Sequence, residues 1–244
     1  MTPLGKDRET VSAASRTAVA FFDADETLVR MKSPFALLRH HLGLRGDDGT
    51  AYERLVEPLR RHARQGGAPA EVSAMYYRLL AGVPLAQLIE EGRDWYATLC
   101  RTGVPYVAAT LEALRRHQEA GHVIAVISGA WCASLRPITD DLGVETVLCT
   151  EPAVDEAGRL TGEVDRVMFG PAKAAAVHEV LDRFGARAED CFAYADDPGD
   201  LPMLSLVGRP TVIGGHPRMA ELAARHGWGR LPNTVVDGGR PVPV

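Results

Sequence analysis

Two aspartates two positions apart, Asp23 and Asp25, with Thr27 two further on, stand at the end of an apolar run in the stretch AVAFFDADETLVR, residues 18–30. Val19, Phe21 and Phe22 show no polar alternation, the pattern of a strand buried on both faces. Strand side chains point alternately to opposite faces, so an extended chain sends Asp23 and Asp25 to one side and the small Ala24 to the other. Two unit charges ~4 Å apart repel by roughly 4 kcal/mol at an effective dielectric near 20. A pair so placed implies either a cation between the acids or one acid that keeps its proton. Magnesium, which prefers carboxylate, carbonyl and water oxygens, satisfies the first condition. An acidic cap on the following helix accounts for the same residue types without any chemistry.

Other places in the chain repeat the arrangement of an apolar run or a helix start that carries polar groups. Residues 123–127 deliver Ser128-Gly129 ahead of a helix with Leu135 and Leu142. This predicts a hydroxyl and free backbone N–H groups at a helix N-terminus, a seat for phosphate or equally a plain helix cap. Residues 191–194 are followed by Ala195-Asp196-Asp197-Pro198-Gly199-Asp200, again acids after a strand. Lys173 opens a helix predicted over 172–184, where an ammonium opposes the helix dipole at a cost of a few tenths to ~1 kcal/mol. That placement makes sense if Lys173 faces carboxylates or a phosphate. Of the 27 basic residues only Lys6, Lys32 and Lys173 are lysines, so a lysine here hints at a site that wants a compact ammonium rather than a planar fork.

The elements that must position these groups alternate between strand and helix after residue 104. Short apolar strands are predicted at 123–127, 147–149, 191–194 and 211–213, with helices at 110–120, 172–184 and 217–226. Residues 153–164, with an Asp155-Glu156-Ala157-Gly158 turn, read as a hairpin edge rather than a crossover. From Ser33 to Gly103 the periodicity is helical throughout. Ser33-Pro34 opens a helix that ends at Gly43, and helices at 52–64, 71–80 and 85–99 follow, separated by glycine and proline turns. The prediction is an α/β fold: a Rossmann-like parallel sheet core flanked by helices, residues 1–30 and 104–244, with a helical cap, residues 31–103, inserted after the first strand. Open α/β sheets bind ligands at the carboxyl ends of their strands, so the polar groups above fall on one edge. Tyr76, Tyr77, Trp95 and Tyr96 are expected to pack in the cap. Residues 1–16 read as a loose polar lead-in, and residues 232–244 as a Pro/Gly-rich tail without periodicity.

Composition narrows the function classes. With 244 residues and 46% hydrophobic content the chain can bury a sizeable core. A net charge of -5 argues against a non-specific nucleic-acid surface, and no apolar run approaches the ~20 residues that span a bilayer. Cys100, Cys132, Cys149 and Cys191 have none of the short paired spacings of zinc or redox sites, and no signal peptide precedes them. Reduced thiols in a cytoplasm are the simplest expectation. The scattered histidines suggest no metal spacing.

FFDADETLV, VIAVISGA, Lys173 and YADDPGDLPML, in this order, resemble the four motifs of the haloacid dehalogenase-like superfamily of phosphohydrolases. The helical insert between the first two, and the run GRLTGEV, resemble the subgroup that contains phosphoserine phosphatase. The resemblance implies a magnesium-dependent phosphomonoesterase that acts on a small phosphorylated metabolite through an aspartyl phosphate. It makes Asp23 the nucleophile and Asp25 the group that protonates the leaving oxygen and then activates water. Magnesium would be held by the Asp23 carboxylate, the Asp25 carbonyl and Asp196. Ser128, the Gly129 N–H and Lys173 would bind the phosphoryl oxygens, with Thr27 beside them. Asp200, or Asp197 in its place, would orient Lys173 or a metal-bound water.

Where phosphoserine phosphatases carry a glutamate after the first motif and an asparagine before the last acid of the fourth, this chain has Lys32 and Gly199. Lys32 would repel an ammonium and favour a leaving group with a second anionic or hydroxyl-rich portion, unless it points to solvent. The alternative class is a receiver-like signalling or phosphate-binding protein without turnover. Such proteins share the acids, the hydroxyl and the lysine, but lack an acid two residues after the phosphorylated one and a large helical cap.

Overall fold

Strand β1 (Val19–Phe22) lies in the middle of a seven-stranded sheet in the computed structural model, which describes residues 17–237 and 240–242. All of its side chains are buried, Val19 and Phe21 in a cluster on one face and Ala20 and Phe22 in a second cluster on the other. The missing polar alternation follows from this, since neither face meets water. Burying a phenylalanine stabilises by roughly 1.5–3 kcal/mol, so Phe21 and Phe22 hold the strand from both sides.

The remaining strands are β2 (Val123–Trp131), β3 (Thr146–Val154), β4 (Leu160–Arg166), β5 (Phe192–Ala195), β6 (Arg209–Ile213) and β7 (Gly229–Leu231), in the sheet order β4-β3-β2-β1-β5-β6-β7. Every pairing is parallel except that of β3 with β4, the expected hairpin. The helices are α1 (Ser33–Gly43), α2 (Thr50–Arg64), α3 (Pro69–Arg78), α4 (Leu85–Thr102), α5 (Ala108–Glu119), α6 (Cys132–Asp141), α7 (Pro171–Phe184), α8 (Leu201–Leu204) and α9 (Pro217–His226). Helices α7 and α9 cover one face through Ala176, Val177, Val180, Met219 and Ala223. Helix α5 covers the other through Ala113 and Leu114. The chain builds outward from β1 to β3, then returns to the opposite side of β1 for β5 to β7. That reversal opens the crevice where doubly wound sheets bind their ligands, at the carboxyl ends of β1 and β5.

Helices α1 to α4 form a third cluster with Tyr76, Tyr77, Trp95 and Tyr96, all buried as expected. Trp131 at the end of β2, Ala133 and Ile138 of α6, and Leu160 of β4 complete it. The cap is also tied to the hairpin through the backbone. The Gly82 N–H donates to the Leu160 carbonyl (2.7 Å), the Leu160 N–H to the Val83 carbonyl (2.9 Å) and the Leu85 N–H to the Gly158 carbonyl (2.9 Å). Helix α3 closes on β4 at Gly162, whose φ of +91° strains any side chain and whose neighbours Ala81 and Arg78, 3.3–3.4 Å from where a Cβ would stand, make the fit tight.

Three expectations need correction. Strand β2 does not stop at Ile127: Ser128 pairs with Cys149 and, after a register shift, Trp131 with Thr150, so α6 begins only at Cys132. Strand β3 likewise runs from Thr146 to Val154 because its outer half pairs with β4. The tail is not structureless, since β8 (Val235–Asp237) and β9 (Arg240–Val242) pair antiparallel, and Val235 bridges to Val107. A Gly-Gly pair between two short β-branched segments is a hairpin signal that the proline and glycine content masked. The reading of residues 1–16 lies outside the described residues. No helix among the described residues is long and apolar enough to cross a membrane.

Candidate active site

The ladder of β1 continues one residue past the strand, where the Asp23 N–H donates to the Tyr194 carbonyl of β5 (3.0 Å). The chain then turns sharply. The Ala24 carbonyl accepts from the N–H groups of Thr27 (3.3 Å), Leu28 (2.8 Å) and Val29 (3.1 Å), and Glu26 sits at a left-handed φ of 65°. Asp25 falls at the start of this turn, so the extended geometry that would carry both acids along one face ends there.

Asp23 joins the acids that follow β5. One carboxylate oxygen from each of Asp23, Asp196 and Asp200 lies within 4.8 Å of the others. Lys173, at the first turn of α7, reaches into this group and is only 3% exposed. Its ammonium donates to Asp23 Oδ1 (2.6 Å) and contacts Asp200 Oδ1. Burial alone would lower the Lys173 pKa, but Asp200 and Asp23 hold it above its ordinary value. Burial, and then the neighbouring carboxylates, push Asp196 and Asp200 above the usual carboxylate range. Three acids against one ammonium leave an excess of negative charge. Oxygen donors this close, with that excess, fit a hard divalent cation.

Thr27 is enclosed, and its hydroxyl donates to Asp196 Oδ1 (2.9 Å), one of the three acids. Thr110 of α5, which nothing in the sequence pattern marks, holds the same loop by donating to the Thr27 carbonyl (2.5 Å). Of the two candidates for the outer acid, Asp200 is buried on Lys173, whereas Asp197 is exposed and caps its own turn by accepting from the Gly199 N–H (2.7 Å).

Asp25 stands outside the three-acid group, and its Oδ1 is enclosed without a hydrogen-bond partner. Burial pushes its pKa up to about 7, against the pull of Lys32 and of Ser33. Lys32, the N-cap residue of α1, is exposed overall yet senses the site. Burial would lower its pKa, but Asp196, Asp25, Asp23 and Glu26 raise it.

Ser128 is 1% exposed and lies within β2, not at a helix N-terminus as expected. Its hydroxyl accepts from the Ala130 N–H (3.2 Å), and the register shift between Ser128 and Trp131 takes Gly129 out of the ladder. The irregular strand end is set by pairing with β3 and is invisible to periodicity. Trp131 is fully buried with its Nε1 unpartnered, and Phe169 packs its ring on Gly129. Neither carried a sequence signal. The histidines show no metal grouping among the described residues. His117 pairs with the Tyr194 hydroxyl (2.9 Å), and burial pushes its pKa down to about 4, so it is a neutral support behind β5.

The chain matches the haloacid dehalogenase-like hydrolase family over residues 20–205, a span that includes every group above. A Streptomyces azureus protein named inhibition of morphological differentiation protein is 29% identical over 236 residues, 93% of this chain and 80% of that one. A phosphoserine phosphatase of Mycobacterium tuberculosis is 30% identical over 233 residues, 92% of this chain and 73% of that one. Among solved structures, a protein of unknown function from Bordetella pertussis Tohama I matches with a TM-score of 0.76 at 25% identity, over 88% of this chain and 98% of that one. A substrate-bound phosphoserine phosphatase shares the fold, with a TM-score of 0.63 at 21% identity over 85% of this chain and 91% of that one. With its acids, lysine and sheet order in that arrangement, the chain belongs to the haloacid dehalogenase-like hydrolase family.

Proposed function

We propose that the chain is a magnesium-dependent phosphomonoesterase that hydrolyses a small phosphorylated metabolite through a phosphorylated Asp23. The observation that carries this reading is the division of the acids. Asp23 accepts a hydrogen bond from the Lys173 ammonium (2.6 Å), while Asp25 has an unpartnered Oδ1 and burial pushes its pKa up to about 7. A nucleophile must be charged and a general acid must hold a proton at neutral pH, and one short loop supplies both.

Asp23 attacks phosphorus in line with the ester bond. As the bond breaks, Asp25 gives its proton to the leaving oxygen. Asp25, now a carboxylate, takes a proton from the water that attacks the phosphorylated Asp23, and phosphate is released. Lys173, the Gly129 N–H and the Ser128 hydroxyl hold the phosphoryl oxygens, which keeps the group aligned through both steps. Asp200 orients Lys173, and Thr27 orients Asp196. The Asp23 carboxylate, the Asp25 carbonyl and Asp196 would hold magnesium, which supplies charge neutralisation to the phosphoryl group when bound.

The cap, residues 31–103, reads the leaving group in this proposal, with Lys32 at its first helix. A cation there favours a second anionic or hydroxyl-rich portion, as in a sugar phosphate or a phosphorylated acid, and disfavours phosphoserine with its ammonium. A cytoplasmic location belongs to the same proposal and rests on the four free cysteines. The relatives named as phosphatases support the reaction class.

The test is a phosphomonoester panel run with and without magnesium, on the wild type and on Asp23→Asn. Magnesium-dependent release of phosphate that disappears in the variant is expected. Substantial turnover by Asp23→Asn moves the nucleophile elsewhere. A wild type that accepts phosphate on Asp23 but never releases it is a receiver-like protein.

A further inference from the structure

Two segments proposed to hold phosphate come from different elements, one from a strand and one from a helix. Gly129 lies in the register shift of β2. Lys173 lies in the first turn of α7, where its N–H donates to the Gly170 carbonyl (3.0 Å). Between β4 and α7 the chain is anchored by Met168, which is fully buried in the sheet cluster and whose N–H donates to Thr150 Oγ1 (3.2 Å). The next residue is Phe169.

Its half-buried ring occupies the space that a side chain at position 129 would take. A Cβ on Gly129 would stand 2.3 Å from Phe169 Cε1 and 2.4 Å from Cζ, a distance at which something must shift. A methyl at position 129 would therefore displace the ring. The ring presses on the Gly129 backbone from a segment that reaches Lys173 four residues later.

We propose that Phe169 is a positioning residue that seats the Ser128-Gly129 segment against the phosphoryl group, and that residues 129 and 169 act as one unit. The inference rests on the reading that Ser128, Gly129 and Lys173 hold phosphate. In this role Phe169 acts through the Gly129 backbone. Its removal should loosen the seat, raising KM and the inhibition constant of inorganic phosphate while kcat changes little.

The experiment measures inhibition by inorganic phosphate, kcat and KM in the wild type, Phe169→Ala, Phe169→Leu, Gly129→Ala and the double variant Gly129→Ala with Phe169→Ala. Phe169→Ala is expected to weaken phosphate about tenfold, and Phe169→Leu to recover most of it by refilling the space. In the double variant the methyl occupies room vacated by the ring, so the two losses should fall short of additive by about tenfold. If Gly129→Ala does not fold, the Phe169→Ala and Phe169→Leu pair decides the matter alone. A general loss of stability with an unchanged phosphate constant overturns the proposal, as do additive losses. Either result, obtained on a wild type that hydrolyses esters, leaves the phosphatase reading in place. A wild type that neither binds phosphate nor hydrolyses any ester overturns both.

Discussion

Replacing Lys173 with methionine keeps the length of the side chain and removes the ammonium that contacts Asp23 and Asp200. The three carboxylates left behind have oxygens within 4.8 Å of one another. At that distance and an effective dielectric near 20 each charged pair repels by about 3 kcal/mol. The variant escapes most of this by binding a proton. For an acid with an ordinary value of 3.8, holding a proton at pH 7 costs 1.36 kcal/mol for each pH unit above that value, ~4 kcal/mol in all. This agrees with the ~3–5 kcal/mol found when one partner of a buried ion pair is removed.

The pH dependence carries the sign. A carboxyl whose folded pKa is raised lets the folded state bind more protons than the unfolded one, so the variant gains stability as the pH falls. The deficit against wild type should shrink from ~4 kcal/mol at pH 7 to a smaller value at pH 5, by less than the full 1.36 kcal/mol per pH unit because Asp196 and Asp200 already lie above the usual carboxylate range in the wild type. Magnesium at about 100 times its Kd should return ~2.7 kcal/mol at pH 7 by mass action. Urea denaturation in chelator at both pH values, and with magnesium at pH 7, measures all three numbers. A deficit below ~1 kcal/mol, or one equal at both pH values, refutes the view that Lys173 is the charge partner of the acids.

Two other predictions concern the acid and the cap. Asp25→Asn should slow esters of poor leaving groups by roughly 10²- to 10⁴-fold and nitrophenyl phosphate much less in the first step, as read by single-turnover kinetics. Equal losses for both count against proton donation by Asp25. Lys32→Glu should raise kcat/KM for phosphoserine relative to sugar phosphates, and efficient phosphoserine hydrolysis by the wild type rules out the repulsion argued for Lys32.

The helices were legible because proline and turn residues punctuate them. Ser33-Pro34, Pro69, Pro171 and Pro217 each stand within the first turn of a helix, where a proline loses no hydrogen bond. Strand β1 was legible from its composition, since a strand covered on both faces has no polar side to show. The end of β2 was not. Ser128 and Trp131 extend it only because Cys149 and Thr150 of β3 lie alongside, and a partner distant in sequence leaves no local trace. The hairpin at residues 153–164 is legible from its turn, yet the burial of Leu160 in one cluster with Leu80 and Leu88 of the helical insert is announced by no pattern.

The same limit explains the acids. Alternation places Asp23 and Asp25 on one face only while the chain stays extended, and the sequence has no proline or glycine after Asp23 to signal that it does not. What bends it is the Ala24 carbonyl collecting three N–H groups, with Glu26 left-handed between them. The two acids enter different surroundings: Asp23 meets the Lys173 ammonium, and Asp25 loses water and finds no partner for Oδ1. A carboxyl whose pKa burial raises to about 7 can hold a proton at neutral pH and donate it. The motif supplies the two carboxylates, and the surroundings give each its role.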